Sequence, residues 1–346
     1  MKIAVALSGG VDSAVAMYTL IQQGHTVSAF HIKTMPDEFY ARKKTVHKTH
    51  CSPSDARDAR LIARQLGVPF EVVDVEDVFR EKIINYYTSE YIKGRTPNPC
   101  YFCNRYVKFG ILLEMVIHHG FDRLASGHYA RIIDGKLYKA IDKEKDQSYF
   151  LSSIEREKLR YLVFPNGDKT KRQVREIAEM VKLHIHEKRE SQDLCFIPDG
   201  DQNTFFSERG LTSNPGLIVD THGNALGEHR GLFNYTVGQR KLRISAKERL
   251  YVVRLDSEKN MVVVGKKEEV YTDTFRVSNL NLLCEVPAEF SASVMVRKKA
   301  EEVPCRVKMS DDTATITCER PIFAVTPGQI AALYNHDLVI ASGVID

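Results

Sequence analysis

The N-terminal part of the chain alternates between short apolar runs and amphipathic stretches. The apolar runs, each of which predicts a β-strand, lie at 3–7, 26–32, 69–75 and 123–128. Residues 14–24 and 54–67 have apolar positions at helical spacing and end in glycine, which is typical of helices. Strands that alternate with helices favour an open parallel sheet, in which ligands bind at the carboxyl ends of the strands. We therefore expect an α/β domain here.

A longer amphipathic stretch covers residues 101–120. Its apolar residues Val107, Ile111 and Met115 are four positions apart, which predicts a single helix. Cys103 lies in the first turn, where backbone amides and the helix dipole lower the pKa of a thiol and favour the nucleophilic thiolate. The alternative is a small buried residue on the same face as Val107.

The second half of the chain has a different pattern. Helical spacing fades after about residue 205, and short β-like runs bounded by Gly, Asp, Asn and Lys recur. These runs include GLIVD, YVVRLD, MVVVG, FRVSNLNLL, SASVMVR, TATITC and IAALY. We therefore expect this half to be mostly β.

Composition limits the class of protein. The chain has 346 residues, 43% hydrophobic and 27% charged, which predicts a compact globular protein of more than one domain. No apolar run is long enough to span a bilayer, and the apolar N-terminal run is too short for a signal peptide, so we expect a cytoplasmic protein without membrane contact. Seven cysteines in a chain of this length do not resemble a disulfide framework, so thiols are expected.

The hexapeptide SGGVDS, residues 8–13, connects the first predicted strand to the helix that follows it. Its glycines let backbone amides approach a ligand, and the helix start adds free N–H groups, a combination that holds phosphate. Asp12 would repel a bare phosphate unless Mg²⁺ intervenes or the carboxylate caps the loop. The alternative is an ordinary strand-to-helix turn. The string lacks the lysine of a Walker loop and resembles the pyrophosphate loop (PP-loop) of enzymes that split ATP into AMP and pyrophosphate.

Further motifs resemble, in order, those of the bacterial tRNA-specific 2-thiouridylase family within the PP-loop ATP pyrophosphatase superfamily. They are GRTPNPCYFCNRYVKFG (94–110), ASGHYAR (125–131), KDQSYFLS (145–152), SQDLCFIPDGD (191–201), NYTVGQRK (234–241) and VTPGQ (325–329). The resemblance implies an α/β catalytic domain with a parallel sheet of the adenine nucleotide α-hydrolase type at 1–204. It also implies a small linking domain at 205–272 and a tRNA-binding C-terminal β-barrel at 273–346.

The activity implied by this resemblance is ATP-dependent replacement of oxygen by sulfur at C2 of the wobble uridine in tRNA, with Mg²⁺ as cofactor. The residues implied to bind ATP are Ala6, Leu7, Ser8, Gly9, Gly10, Val11, Asp12, Ser13, Ile32 and Gly127. Those implied to lie at the target base are Asn98, Pro99 and Cys100. Those implied to contact the rest of the tRNA are His128, Lys145, Asp146, Gln147, Arg297, Lys298 and Gln329.

The resemblance also gives the cysteines their roles. Cys195 matches the position that carries a persulfide, and Cys103 matches the partner that releases the sulfur by forming a disulfide. Cys100 departs from the family, in which many members have an aspartate there. A C-x-x-C pair with a distant third cysteine is also compatible with a 4Fe–4S cluster held by Cys100, Cys103 and Cys195, so cluster and persulfide chemistry both stay open. Structural thiols are expected at Cys51, Cys284, Cys305 and Cys318.

The expected partners are tRNA and a sulfur donor, either a persulfide carrier protein or sulfide, and the expected oligomeric state is a monomer. Basic residues that could neutralise RNA phosphates are Arg230, Arg240, Lys241, Arg243, Lys247, Arg249, Arg297, Lys298 and Lys299. Charge alone would favour an ordinary solvated surface. Two alternative functions are compatible with part of the sequence: an amide-forming ligase with the same PP-loop and a non-catalytic RNA-binding protein. A ligase has no need of the C-x-x-C pair, and a binding module has no need of SGGVDS and Cys195.

Overall fold

The computed structural model describes residues 1–41, 52–186, 188, 194–197, 200–211, 214–242, 244 and 248–346. The chain divides into two compact units. The first comprises Met1–Ile84, Cys100–Gly200 and Asp337–Val339, and the second comprises Asn85–Pro99, Asp201–His336 and Ile340–Asp346. Across these described ranges, no helix combines the length and apolar character that a membrane span requires.

Among the residues that the structure describes, seven strands belong to the first unit. They are β1 Lys2–Ala6, β2 Thr26–Lys33, β3 Phe70–Asp74, β4 Arg123–Ser126, β5 Ala130–Ile133, β6 Lys136–Lys139 and β7 Leu162–Val163. Five of them form a parallel sheet in the order β3-β2-β1-β4-β7, while β5 and β6 make an antiparallel hairpin. The central strand β1 is buried along Ile3, Ala4 and Val5, as expected for a parallel strand covered on both faces.

Helices connect these strands. In chain order the α-helices are α1 Val11–Gln22, α2 Asp37–Ala41, α3 Pro53–Gln65, α4 Glu76–Phe79, α5 Tyr86–Ile92, α6 Pro99–Phe102, α7 Leu113–His118, α8 Ser148–Leu151, α9 Lys171–Met180 and α10 Gln202–Ser207. Helix α1 packs its buried residues, among them Met17 and Leu20, into the core beside β1. Each such large apolar side chain contributes about 1.5–3 kcal/mol on burial.

The helix predicted at 101–120 is present but is not a regular α-helix. Between α6 and α7 the stretch Cys103–Leu112 has the wider π-type turn. A Cβ at Gly110 would lie 2.7 Å from the carbonyl oxygen of Arg105, five residues earlier, so glycine permits the close contact that this turn requires. Turns of this kind are rare and often accompany functional sites.

The second unit contains a small four-stranded sheet. Its strands are β8 Gly216–Asp220, β9 Ala225–His229, β10 Tyr251–Asp256 and β11 Met261–Gly265, in the order β10-β11-β8-β9. The β8–β11 pair is parallel and the two outer pairs are antiparallel. Ile218, Val252, Val262 and Val264 form its core.

Six antiparallel strands close into a β-barrel at the C-terminal end. They are β12 Tyr271–Leu282, β13 Glu289–Met295, β14 Val303–Ser310, β15 Thr313–Phe323, β16 Ile330–Asn335 and β17 Leu338–Ile345. Pairing of β12 with β17 completes the ring. Alternation of buried and exposed positions along β14 and β15 places one face of each strand in the core. The predicted fold class, an α/β domain followed by a small domain and a barrel, is confirmed.

Two of the cysteines expected to be structural face each other inside this barrel. Cys305 of β14 is the register partner of Cys318 of β15, and both are buried, free thiols within the barrel core. Burial raises the pKa of Cys305 to about 12 and that of Cys318 to about 11. Both thiols therefore stay protonated near neutral pH, in agreement with a packing role. Cys51 lies outside the described residues.

We predict that native protein treated with iodoacetamide at pH 8 is alkylated at Cys305 and Cys318 more than about 100-fold more slowly than unfolded protein. The reason is that only the thiolate reacts, and burial suppresses both its formation and access to it. Peptide mass spectrometry of time points provides the measurement, with the same two peptides from unfolded protein as the reference. Equal rates in native and unfolded protein would contradict the buried placement.

Candidate active site

The PP-loop joins β1 to α1, where the sequence placed it. The Ser8 backbone N–H donates to Ser13 Oγ at 3.2 Å, the two hydroxyl oxygens lie 3.1 Å apart, and Ser13 Oγ donates to the Gly10 carbonyl at 3.0 Å. These bonds fold the loop back on the first turn of α1. The first residues of a helix have backbone N–H groups without helical acceptors, and Gly10 offers no side chain to cap them. The loop therefore has the donors that an anion requires.

Glycine is required at two points of this site by close backbone contacts. Gly9 has φ +79°, and a Cβ there would clash with the carbonyl oxygen of Asp55. A Cβ on Gly127 would lie 2.5 Å from the backbone nitrogen of Ser13. Since Gly127 follows β4, the loops after two neighbouring strands touch through their backbones. This contact forms a shallow cradle of peptide groups at the carboxyl end of the sheet.

Asp12 is paired with a residue that the sequence analysis did not single out. Lys171 Nζ, at the start of α9, lies 2.6 Å from Asp12 Oδ1 and 2.8 Å from Oδ2. Tyr129 donates its hydroxyl hydrogen to Asp12 Oδ1 at 2.7 Å. The amide of Asn166 donates to the carbonyls of Asp12, at 2.9 Å, and Gly127, at 3.2 Å. The carboxylate therefore does not cap the loop, and its charge is balanced by Lys171.

A second lysine holds the opposite side of the loop. Lys188 Nζ donates to the Gly9 carbonyl at 3.1 Å, to Asp55 Oδ1 at 2.8 Å and to Asp58 Oδ2 at 2.5 Å. Partial burial disfavours the ammonium ion, but hydrogen bonds to the two carboxylates outweigh this effect and raise the pKa of Lys188. Asp55 also completes the capping box of α3 with Ser52. The Gly9 peptide is thus fixed by a charged network.

His31 on β2 contacts the loop from a third direction. Its Nδ1 lies 2.9 Å from the Leu7 carbonyl oxygen, and the ring is buried. Burial lowers the pKa of His31, so the ring is neutral near pH 7 and Nδ1–H donates to the carbonyl.

A cleft of about 190 Å³ opens beside the loop. The predicted ATP-binding residues that line it are Ala6, Leu7, Ser8, Asp12, Ser13, Ile32 and Gly127. The predicted tRNA residues that line it are His128 and Gln147. Lining residues that were not predicted are Phe30, His31, Lys108 and Ser126. Gly9, Gly10 and Val11 belong to the loop or the helix start without lining the cleft.

The three cysteines of interest occupy two short segments. Cys103 begins the π-type stretch whose Lys108 lines the cleft, and Cys195 lies in the short described stretch 194–197; both are half-buried. Cys100 is exposed, and desolvation by the surrounding protein raises the pKa of its thiol, with Lys108 acting weakly in the opposite direction. In the described part of the chain, no group of three or more His, Cys, Asp or Glu side chains could hold a metal ion. The 4Fe–4S alternative therefore finds no ligand set there.

The predicted tRNA residues of the first unit are partly engaged within the protein. His128 Nδ1 is 2.7 Å from Ser126 Oγ. Asp146 is buried, and its carboxylate accepts hydrogen bonds from the backbone N–H of Ala140 at 2.8 Å and from Ser148 Oγ at 2.7 Å. Gln147 Oε1 accepts from the backbone N–H of Tyr129 at 2.9 Å, while Lys145 is partly exposed. Their contacts with RNA stay predictions.

The remaining predicted residues belong to the second unit. Asn98 and Pro99 are buried in it, Arg297 is exposed, and Lys298 is half-buried. Gln329 donates its side-chain amide to the carbonyl oxygen of Thr96 at 2.9 Å. Of the basic residues noted in the linking region, Arg243 and Lys247 lie outside the described residues.

Sequence patterns gave no signal for several residues around the loop. Lys171 lies 159 positions from Asp12, and Lys188 lies 179 positions from Gly9, so neither contact follows from local spacing. One available signal was the capping box of Thr170 and Gln173, which marks the start of α9 and hence the position of Lys171.

We predict that Gly9→Ala lowers the free energy of unfolding by at least about 2 kcal/mol, because a positive φ and a backbone clash both oppose a methyl group there. Gly10→Ala is the matched control, since φ is −102° and the nearest atom to its Cβ would be Ser8 Oγ at 3.5 Å. We expect the control to stay within about 0.5 kcal/mol of the parent. Urea unfolding measures both, and equal effects would contradict the described loop.

Family models match the chain almost from end to end. The tRNA methyl transferase HUP domain matches residues 1–199, the tRNA methyl transferase PRC-barrel domain residues 204–266 and the Aminomethyltransferase beta-barrel domain residues 272–345.

Curated relatives share about half of the residues. The tRNA-specific 2-thiouridylase MnmA of Pseudothermotoga lettingae is 54% identical over 346 residues, covering 100% of this chain and 99% of that protein. The protein of the same name from Fervidobacterium nodosum is 53% identical, with coverage of 100% and 99%. That from Thermosipho melanesiensis is 55% identical, with coverage of 94% and 96%. The chain therefore belongs to the tRNA-specific 2-thiouridylase family.

Proposed function

We propose that this chain uses ATP and a cysteine persulfide to replace the C2 oxygen of the wobble uridine of tRNA with sulfur. The observation that carries the proposal is the contact between the PP-loop and Gly127, which leaves a cradle of peptide groups at the end of the sheet. Family membership and the names of the relatives support tRNA as the substrate. A tRNA substrate in turn places the enzyme in the cytoplasm.

ATP would bind with its phosphates at residues 8–13, its adenine near Ile32 and the rest of the nucleotide reaching Gly127. Backbone amides and the start of α1 supply donors without net charge. The ion pair with Lys171 removes the repulsion that Asp12 alone would exert on phosphate. Mg²⁺ would be held by the phosphates and by Asp12, and it would neutralise the charge on the leaving pyrophosphate.

Activation of the uridine is the first chemical step. The C2 carbonyl is a poor electrophile, so its oxygen attacks the α-phosphorus of ATP, and the bond to pyrophosphate breaks. The product is a uridine whose C2 oxygen carries AMP. AMP is a better leaving group than oxide, so C2 becomes open to attack by sulfur.

Sulfur transfer uses Cys195 and Cys103. A sulfur donor, either a persulfide carrier protein or sulfide together with an oxidant, loads Cys195 as a persulfide. The terminal sulfur attacks C2 and AMP leaves with the original oxygen. The Cys103 thiolate then attacks the Sγ of Cys195, so a Cys103–Cys195 disulfide forms and the sulfur stays on the base as the thiocarbonyl. An external dithiol reduces the disulfide before the next turnover.

Cys100 has no necessary part in this sequence. The relay uses two thiols only, since Cys195 carries the sulfur and Cys103 releases it. With Asn98 and Pro99, Cys100 would lie at the target base, where a neutral thiol can contact the uracil but cannot replace a carboxylate as a base. We propose a monomeric enzyme in which no cluster takes part.

Contacts with the rest of the tRNA would come from residues of both units. Those proposed in the first unit are His128, Lys145, Asp146 and Gln147. Those proposed in the second unit are Arg297, Lys298 and Gln329, of which the two basic residues would neutralise phosphates, a contribution that weakens as salt rises. An amide-forming ligase would share the ATP loop but would leave Cys103 and Cys195 without a role.

Three cysteine variants test the proposal. Cys103→Ser and Cys195→Ser should each lower 2-thiouridine formation at least about 1,000-fold, because a hydroxyl cannot carry or accept sulfur in this exchange. Cys100→Ser should keep activity within about tenfold of the parent, because the relay needs only the thiols of Cys195 and Cys103. Cys284→Ser, in the barrel, is the control.

The measurement is liquid chromatography of nucleosides from digested tRNA, together with tRNA affinity for each variant. Retained affinity with lost thiolation is the expected result for Cys103→Ser and Cys195→Ser. Parent-level thiolation by Cys195→Ser would overturn the relay. Iron in the purified parent protein, lost in Cys100→Ser together with activity, would restore the cluster alternative.

A further inference from the structure

The segment Thr96–Pro99 cannot hold itself in place by ordinary backbone pairing. Two of its four residues are prolines, which have no N–H to donate. Pro97, Asn98 and Pro99 are nevertheless buried. Their carbonyl oxygens need donors from elsewhere, because a buried unpaired carbonyl is costly. The position of this segment, which leads directly to Cys100, therefore depends on what binds its backbone.

Gln329 supplies donors to this backbone. Its side-chain Nε2 donates to the Thr96 carbonyl at 2.9 Å and lies 3.5 Å from the Pro97 carbonyl. The backbone of Gln329 is fixed as well, because its carbonyl accepts from the N–H of Ile345 at 2.8 Å. The amide thus projects from a rigid part of the barrel and reaches the two residues immediately before Asn98.

The loop that carries Gln329 contacts the same segment through its backbone. The Thr96 N–H donates to the Pro327 carbonyl at 2.8 Å. Gly328 has φ +89°, and a Cβ there would lie 3.0 Å from the Thr96 nitrogen and 3.1 Å from Arg95 Cβ. Only glycine allows this approach. The motif VTPGQ therefore contacts Arg95 and Thr96 of the same unit, the two residues that precede Pro97.

Three further contacts fix the start of the segment. An Arg95 guanidinium nitrogen donates to the Ile345 carbonyl at 2.9 Å, and Nε forms an ion pair with Glu90 at 2.8 Å. Thr96 Oγ1 lies 3.3 Å from Thr236 Oγ1, which belongs to the motif NYTVGQRK. Residues from two C-terminal motifs thus converge on Arg95 and Thr96.

We propose that Gln329 is a positioning residue, which holds the Thr96 and Pro97 carbonyls so that Asn98 and Pro99 present a fixed surface to the target uracil. This inference rests on the proposed function. The contact between Gln329 and tRNA that the resemblance implies stays a prediction, and the positioning role is separate from it, because the contacts with Thr96 and Pro97 are made by Nε2 and not by Oε1. We expect Gln329 to affect the rate of 2-thiouridine formation and not the affinity of the enzyme for tRNA.

The test compares Gln329→Met, which keeps the length of the side chain and removes the donor, with the parent enzyme under single-turnover conditions. The rate of 2-thiouridine formation at saturating tRNA should fall about tenfold or more, since small misplacements at a reacting centre reduce rates strongly. The Kd for tRNA should stay within about twofold. Gln23→Ala, an exposed glutamine of the first unit, is the matched control and should leave both quantities unchanged.

Gly328→Ala provides a second route to the same answer, because an added methyl group displaces Thr96 without removing any side chain that could contact tRNA. It should reduce the rate with little change in Kd. Faster amide hydrogen exchange at Thr96 in either variant would show directly that the segment is released.

A tenfold rise in Kd with an unchanged rate for Gln329→Met would make Gln329 a tRNA contact and overturn the proposal. Unchanged rate and unchanged Kd in both variants would overturn it as well. A parent enzyme that forms no 2-thiouridine refutes the proposed function itself. An active parent with an equally active Gln329→Met refutes only the positioning role.

Discussion

The site depends on a contact between two backbones, that of the PP-loop after β1 and that of Gly127 after β4. A Cβ on Gly127 would lie within 2.5 Å of the Ser13 nitrogen, so the contact exists only because this residue has no side chain. The parallel sheet brings the ends of β1 and β4 together, and glycine lets the loops that follow them touch. The cleft and its amide donors follow from that constraint.

Ion pairs and hydrogen bonds around the PP-loop hold its peptide groups in position. Lys171 neutralises Asp12 on one side, while Lys188 joins the Gly9 carbonyl to Asp55 on the other. Such partly buried pairs are worth less as stabilising interactions than as geometric restraints, because desolvation offsets much of their attraction. In the proposed enzyme, these restraints would let the loop bind phosphate without having to reorganise.

Local patterns were sufficient for the elements with strong periodicity and insufficient for contacts between distant residues. The strand–loop–helix unit around SGGVDS and the β-rich second half were predictable because their signals lie within a few residues of each other. The strand β7 has only two residues and carries no periodic signal. The widened turn at Cys103–Leu112 replaces the regular helix that the apolar spacing predicted, because Gly110 tolerates a carbonyl contact that side-chain patterns do not encode. Pairing of Asp12 with Lys171 depends on tertiary structure alone.

In the proposed reaction, ATP activates the C2 oxygen of uridine and AMP carries this oxygen away. This oxygen transfer is tested most directly with tRNA whose wobble uridine carries ¹⁸O at C2, followed by mass spectrometry of the AMP formed in one turnover. We expect the AMP phosphate to contain the label in proportion to the 2-thiouridine produced. Unlabelled AMP, formed together with 2-thiouridine, would contradict the proposed reaction.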